Sequence, residues 1–469
     1  MKTECKQTEF GFQDLNRRKV VADFGGGELS SDGGGLLLRE VEHRRGWVRD
    51  FACCFADYRN PVFVEHKVEE MAGQRIFGLA LGYEDLNDHD LLRRDPLLAV
   101  ICGKREPTGK DRMRKEDQGK ALAGKSTLNR LEHGRGAADR YKKVVLNEAQ
   151  VAELFVAKFI SGHKETPRRI VLDMDATDDP LHGKQEGRFF HGYYDNYCYL
   201  PLYIFCGDEL LCAKLRPSNI DASAGALDEV KRIVTSLRAV WPEVKIVLRG
   251  DSGFARDEIM DWCESKGVDY VFGLARNSRL EERLAPAMDA VRRWYELTGV
   301  AARTFMEIWY QTKDSWSRSR RVIGKAEYLE KGENPRFVVT SLSAQEYGGC
   351  VLYDKEYCAR GEMENRIKEQ QLDLFADRTS TATMKANQQR MWLSAIAYSL
   401  LNDLRRFGLR GTKMAQATCG TIRLRLLKIG ALIMVSVRRV LIRLASSCAC
   451  QEIFATVFKN LQRLPMESS

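Results

Sequence analysis

No stretch of this chain is apolar for long enough to cross a bilayer. The longest candidate, Ile429 to Val437, is closed off by Lys428 on one side and Arg438-Arg439 on the other, and a spanning helix needs about 20 apolar residues. The opening MKTECKQTEFGF has no apolar core and no cleavage site, so no secretory signal is expected. Paired CxxC spacing is missing as well. The 13 cysteines are scattered, with Cys53-Cys54 and Cys448-Ala449-Cys450 the only close groups. That usage suits a reducing compartment and supplies no zinc site. A cytoplasmic protein with no membrane partner is the expectation. Internal repeats and low-complexity tracts are absent too, which leaves ordinary globular domains.

What is present fits that class. The 469 residues are too many for one hydrophobic core, so two or three domains are expected. A composition of 44% hydrophobic and 30% charged residues belongs to a folded, soluble chain. The formal net charge is +9, and such an excess points to an acidic partner, nucleic acid first.

Residues 1–165 read as a mostly helical N-terminal region. LLLREVEHRRG, preceded by Ser31-Asp32 and the glycines at 33–35, has the pattern of a helix ended by Gly46, and residues 66–83 repeat apolar side chains at helical spacing. The glycine runs at 25–27 and 33–35 lack a βαβ frame and read as flexible turns. From residue 168 the pattern changes. RRIVLDMDATDD is a buried strand ending in acids, and YCYLPLYIFCGDELLCAKLRP is a hairpin turning at Gly207-Asp208. A helix stopped by Pro242, a strand VKIVLRG, a helix ended by Gly267 and a strand VDYVFGL follow. This order predicts an α/β fold with a mixed sheet flanked by helices. Residues 281–345 form a strand-rich insertion, 346–405 carry two long helices, the first beginning near Tyr357, and 406–469 form a C-terminal region. There TIRLRLLKIG and VRRVLIRLA suggest a strand pair before a last helix.

GKALAGKST at 119–127 has the full spacing of a nucleotide phosphate loop. Such a loop needs a buried strand before it so that its amides converge at a helix N-terminus. TGKDRMRKEDQ stands there instead, and no nucleotide cofactor is expected. Ser126 reads as the cap of a helix STLNRLEH ended by Gly134. With Lys125 and Arg130 beside it, that helix is either a DNA-reading element or a structural one.

Acids at strand ends carry the chemistry. Asp173 and Asp175 are two apart and face the same side of their strand, and Asp251 follows the apolar run KIVL at the end where active-site loops gather. Like charges about 4 Å apart repel by roughly 4 kcal/mol at an effective dielectric of 20, so such a cluster needs a cation, commonly a divalent one. A third element, YCARGEMENRIKEQQLDLF, places Tyr357, Arg360 and Glu364 on one helical face, with Lys368 and Gln371 near it.

These residues resemble the signature of DDE transposases of bacterial insertion sequences, in the cut-and-paste group with a strand-rich insertion before the final Glu. That group carries Tyr, two residues, Arg, three residues, Glu, six residues, Lys. Tyr357, Arg360 and Glu364 match it, Gln371 stands where Lys is expected, and Lys368 is one turn earlier. Asp175-Ala176-Thr177 matches the context of the family's first acid, which favours Asp175 over Asp173, and Asp251 matches its second. The resemblance implies a ribonuclease-H-like core in which Asp175, Asp251 and Glu364 are catalytic and hold two Mg²⁺ ions, with Mn²⁺ as a substitute. It implies double-stranded DNA as partner, a homodimer in the synaptic complex, a bacterial nucleoid setting, and phosphate contacts from Tyr357, Arg360 and Lys368. Trp309 and Trp316 either stack on an unpaired base or pack. Rival readings are a structure-selective nuclease of the same fold and a transposase-derived repressor that binds DNA without cutting it. If the glycine-rich stretch is not a nucleotide site, Lys125→Ala cleaves DNA like the parent protein with metal but no ATP. Tight Mg-ATP binding that disappears in the variant would overturn this.

Overall fold

Hydrophobic side chains that alternate along a strand can serve two cores at once, and the central sheet is built that way. The computed structural model describes residues 9–133, 138–140 and 142–467. Asn147–Ala395 makes one compact unit, and the other combines the described chain before Asn147 with the chain from Ile396 onward. Among the described residues no helix is long and apolar enough to cross a membrane.

The first of these units holds a nine-stranded sheet. Its strands are β1 (Arg169–Ala176), β2 (Leu202–Cys206), β3 (Glu209–Lys214), β4 (Lys245–Gly250), β5 (Asp269–Leu274), β6 (Ala302–Tyr310), β7 (Arg320–Leu329), β8 (Gly332–Glu333) and β9 (Arg336–Thr340). They lie in the order β3-β2-β1-β4-β5-β9-β7-β6, with β8 paired to β7. β1, β4 and β5 are parallel, and every other pairing is antiparallel. Helices α1 (Ala226–Val240) and α2 (Asp257–Lys266) supply crossovers, as parallel neighbours require. Strands β6, β7 and β9, expected in an insertion, therefore continue the same sheet, because β9 pairs directly with β5 from Val271↔Thr340 to Leu274↔Phe337.

Alternation splits the side chains between two faces. Ile170, Leu172 and Met174 of β1, Ile246 and Leu248 of β4, and Tyr270 and Phe272 of β5 pack in a large core with Ile233 and Leu237 of α1 and Met260 of α2. Val171, Val247 and Val271 point the other way, into a smaller core with Ile323, Val338, Leu352 and Tyr353. A strand buried on both faces reads as a continuous apolar run, hence RIVL, KIVL and DYVF. Leu352 and Tyr353 belong to a helical segment, residues 349–373, that covers the second face. It begins at Gly349, earlier than expected from Tyr357, and its turns alternate: α over Gly349–Val351, π over Leu352–Tyr357, 3₁₀ over Cys358–Arg360, α over Gly361–Lys368 and π over Glu369–Asp373.

In the other unit, helix Gly35–Arg45 ends at Gly46 in the left-handed region with φ 62°, and helix Val68–Leu81 is capped at Gly82. Gly33 and Gly34 are not flexible turns. Their amides donate to the carbonyls of Ile429 and Leu427 at 2.8 and 3.0 Å, and a Cβ on Gly34 would stand 1.9 Å from the Leu426 carbonyl oxygen. Residues 421–427 of TIRLRLLKIG are helical rather than extended. Ile422 and Leu426 are four apart and both buried, a period of one helical turn that the alternating arginines obscure. The strand pair forms from Ala431–Val435 and Val440–Leu444 instead, ahead of the helix Gln451–Gln462.

The glycine-rich stretch is preceded by turns. Its helix, Lys125–Glu132, starts from Gly124 with no side-chain cap, so Ser126 sits inside the first turn and caps nothing. Gly134, expected to end that helix, lies outside the described residues. Gly34→Ala drives a methyl into the backbone of Leu426 and Leu427. It is expected to cost about 3 kcal/mol, read as an early unfolding transition in thermal denaturation; an unshifted transition would refute the close approach.

Candidate active site

Register decides which acids meet. β1 and β4 pair in parallel with Arg249 opposite Asp173, so the odd-numbered positions 171, 173 and 175 of β1 and 247 and 249 of β4 face the same side, and Asp251 follows directly on the end of β4. That is the side covered by the helical segment. The two acids of β1 nevertheless have different fates. Asp173 is buried and held by the guanidinium of Arg249, through Nε and through Nη2 at 2.7 Å, while Nη1 of Arg249 donates to the Glu356 carbonyl at 2.5 Å. This ties the helical segment to the strand. Asp173 thus serves a structural ion pair of the kind expensive to break by removing one partner.

Asp175 sits one step nearer the strand end. Burial pushes its carboxyl up to about 7, the Arg360 guanidinium opposes that rise, and Asp251 and Glu364 add to it. Asp251 begins the turn Ser252–Phe254 by accepting the Gly253 amide through Oδ1 at 2.8 Å. Glu364, with its side chain 43% exposed, accepts Nη2 of Arg360 at 2.8 Å, one helical turn away, and Nη1 of the same guanidinium stands 3.5 Å from Asp175. Arg360 therefore bridges the strand acid and the helix acid. Tyr357 completes the group. Its hydroxyl lies where a Cβ on Gly273 would be, 2.6 Å away, beside the Asp251–Ser252 backbone. Only a glycine on β5 leaves that room. The π turn ending at Tyr357 and the 3₁₀ turn ending at Arg360 shift the helical phase at this point, as irregular turns at functional sites do.

Carboxylate oxygens are the donors that Mg²⁺ takes, and Asp175 feels the charges of Asp251 and Glu364. Among the described residues, however, no three acidic, histidine or cysteine side chains converge closely enough to enclose an ion. The donor chemistry fits a divalent cation, and Arg360 supplies the positive charge between two of the acids.

The other expected residues divide. Lys368 is exposed one turn beyond Glu364, and Gln371 donates to the Asp178 carbonyl at 3.0 Å. Trp309, on the edge strand β6, is 66% exposed. Trp316 is not available for stacking: it is 6% exposed, edge-on to Tyr310 and beneath the guanidinium of Arg320, which pairs with Asp257 and Glu264. Lys125, Ser126 and Arg130 lie in the other unit, where Lys125 donates to Asn87 at 3.2 Å and stands 3.6 Å from Asp90.

Sequence reasoning missed Tyr194. It belongs to the turn between strands Phe189–His191 and Asn196–Tyr199, and its hydroxyl donates to the Ala176 carbonyl at 3.2 Å. Burial raises its hydroxyl above the usual range, with Asp175 and Asp178 contributing, which places it beside the acids. The neighbouring Tyr193 is 85% exposed. The signal was the aromatic density of HGYYDNYCY, which lacks the length of an ordinary strand pair.

Residues 12–466 match the sequence pattern of the family described as Transposase DDE domain group 1. No curated protein matches the chain. Among solved structures, a piggyBac transposase synaptic complex with hairpin DNA is similar at 11% identity and a TM-score of 0.42, covering 85% of this chain and 80% of that one, a likeness too slight to carry argument. The raised Asp175 carboxyl has its own consequence. A carboxyl whose folded value lies above its unfolded 3.8 favours the folded state below that value, and this contribution is lost as pH rises through about 7. In EDTA, Asp175→Asn is therefore expected to melt higher than the parent protein at about pH 8 and near it at about pH 4. A lower melting point at the higher pH would reverse the assignment.

Proposed function

The chain belongs to the Transposase DDE domain group 1 family, and we propose that it is a DNA transposase that cuts the ends of its element and joins them to target DNA. The observation that carries this reading is the shared guanidinium: Asp175 lies at the end of β1, Asp251 directly follows the adjacent parallel strand β4, and Arg360 links Asp175 to Glu364 of the covering segment. A ribonuclease-H-like core is supported by three parallel strands continued by an antiparallel hairpin in the order β3-β2-β1-β4-β5.

Asp175, Asp251 and Glu364 are the residues that would hold two Mg²⁺ ions, with Mn²⁺ as a substitute. Bound there, the ions would supply the activation of water or a 3′-hydroxyl and the charge stabilisation that in-line displacement at phosphorus requires. Ionised carboxylates are needed for that task, and the Arg360 guanidinium favours ionisation of Asp175 against the burial that opposes it. Arg360, with five donors in a planar fork, also suits a phosphate beside the cut. Tyr357, packed onto Gly273, fixes the segment so that this fork faces the strand ends. Lys368 extends the positive charge one turn further. No residue of the phosphate-loop lookalike takes part, and no nucleotide cofactor is used. Double-stranded DNA is the substrate, a homodimer brings two ends together, and the setting is the bacterial cytoplasm at the nucleoid.

Asp175→Asn, Asp251→Asn and Glu364→Gln are each expected to abolish Mg²⁺-dependent cleavage of the element's ends while binding them normally, since backbone contacts come from basic residues. Lys368→Ala and Arg360→Ala should cleave slowly, on the order of 100-fold if a phosphate shifts by about 1 Å, at near-parental affinity. Single-turnover cleavage beside a binding titration separates the two effects. Active Asp175→Asn with inactive Asp173→Asn would displace the first acid.

A further inference from the structure

One cavity far along the chain from the acids has cationic walls and an apolar floor. It holds about 340 Å³ and is lined by Arg59, Thr127, Arg130, Arg140 and Lys143 with Met71, Leu131 and Val144. All eight lie in the unit that contains both ends of the chain. Its floor continues a small core in which Met71, Leu131 and Val144 pack with Leu86, Ala123 and Leu128. Among the described residues no carboxylate lines it.

The walls differ in freedom. Arg59 is fixed: its guanidinium chelates Asp57 at 2.7 and 2.8 Å and donates Nη1 to the His66 carbonyl at 3.0 Å, so its charge is balanced. Arg130 and Lys143 are exposed, the first in the helix Lys125–Glu132 and the second just before the strand Val144–Leu146. Cations gathered round a recess without a carboxylate in its lining repel one another, and an anion seated among them relieves that repulsion. A floor of aliphatic side chains accepts the flat, weakly polar face of a sugar or base. The ligand with both properties is a nucleotide.

We propose that this cavity seats one nucleotide unit of a bound DNA strand, its phosphate between Arg130 and Lys143 and its sugar or base against Met71, Leu131 and Val144. The assignment rests on the reading of the chain as a transposase acting on DNA, and it gives Arg130 a role apart from the groove-reading helix. A free mononucleotide has the same chemistry, and the two sources differ in what they compete with.

The test uses the full chain, with Arg130→Gln and Lys143→Gln singly and together. Both positions are exposed, so unchanged melting points will certify the fold. Binding of a fluorescent duplex carrying the gene's flanking sequence is titrated at several salt concentrations. Each lost phosphate contact lowers the salt slope by about 0.9, so the double variant should lose close to 2 in slope and on the order of 10-fold or more in affinity at low salt. AMP and inorganic phosphate at millimolar concentrations should leave the melting point of the parent protein unchanged. A parental slope in the double variant overturns the proposal. So does a melting shift with AMP that vanishes in the double variant while DNA binding stays parental, which would make this a free-nucleotide site. Asp175→Asn is titrated alongside. If it binds DNA with the parental slope and the parent protein fails to cleave, the catalytic reading falls and the cavity stands.

Discussion

Arg360 reaches Glu364 from one turn away and Asp175 across the edge of the sheet, and the burial of Asp175 makes that second contact decisive. A buried carboxyl is driven toward its neutral form, and a neutral carboxyl is a poor ligand and a poor electrostatic partner. Ionisation of Asp175 against that penalty therefore depends on Arg360 being held beside it. Several other features of the sheet follow from that requirement. Gly273 must lack a side chain so that Tyr357 can pack. Arg249 must hold both Asp173 and the Glu356 carbonyl so that the segment lies at the right height.

Much of this was legible because alternation along a strand is a local property. The apolar runs ending in acids singled out Asp173, Asp175 and Asp251, the resemblance favoured Asp175 over Asp173, and the three- and four-residue spacing put Tyr357, Arg360 and Glu364 on one face. What alternation cannot disclose is register. Asp173 and Asp175 share a face, and only the pairing of Asp173 with Arg249 shows that one of them is spent on an ion pair. Between stacking and packing the sequence could not choose for Trp316, because its cover, Arg320 with Asp257 and Glu264, comes partly from a helix some 60 residues earlier in the chain.

Pairing partners of strands are equally non-local. The runs at 302–310, 320–329 and 336–340 were visible as strands, yet nothing within them names β5 as the neighbour of β9. Helix α3 (Ser278–Thr298) separates β5 from these strands along the chain and gave the appearance of a new module. The helix hidden in TIRLRLL has another origin. Arginines spaced two apart imitate a strand, while Arg423 in fact donates to the carbonyls of Leu79 and Ala80 at the end of a neighbouring helix. The glycines at 33–35 were misjudged because close packing against backbone and freedom to flex demand the same residue.

The two units are nested rather than sequential: Asn147–Ala395 is contiguous, whereas its counterpart draws on the chain before it and the chain from Ile396 onward. Synthesis proceeds from the N-terminus at roughly 5–20 residues per second. The contiguous unit is thus synthesised before any residue from Ile396 onward, and Gly33 and Gly34 cannot meet Leu427 and Ile429 until those residues too have been made. During that interval the helix Val68–Leu81 lacks the Arg423 guanidinium that caps its Leu79 and Ala80 carbonyls. A chain cut short before Leu427 would leave the Gly33 and Gly34 amides without their carbonyl partners.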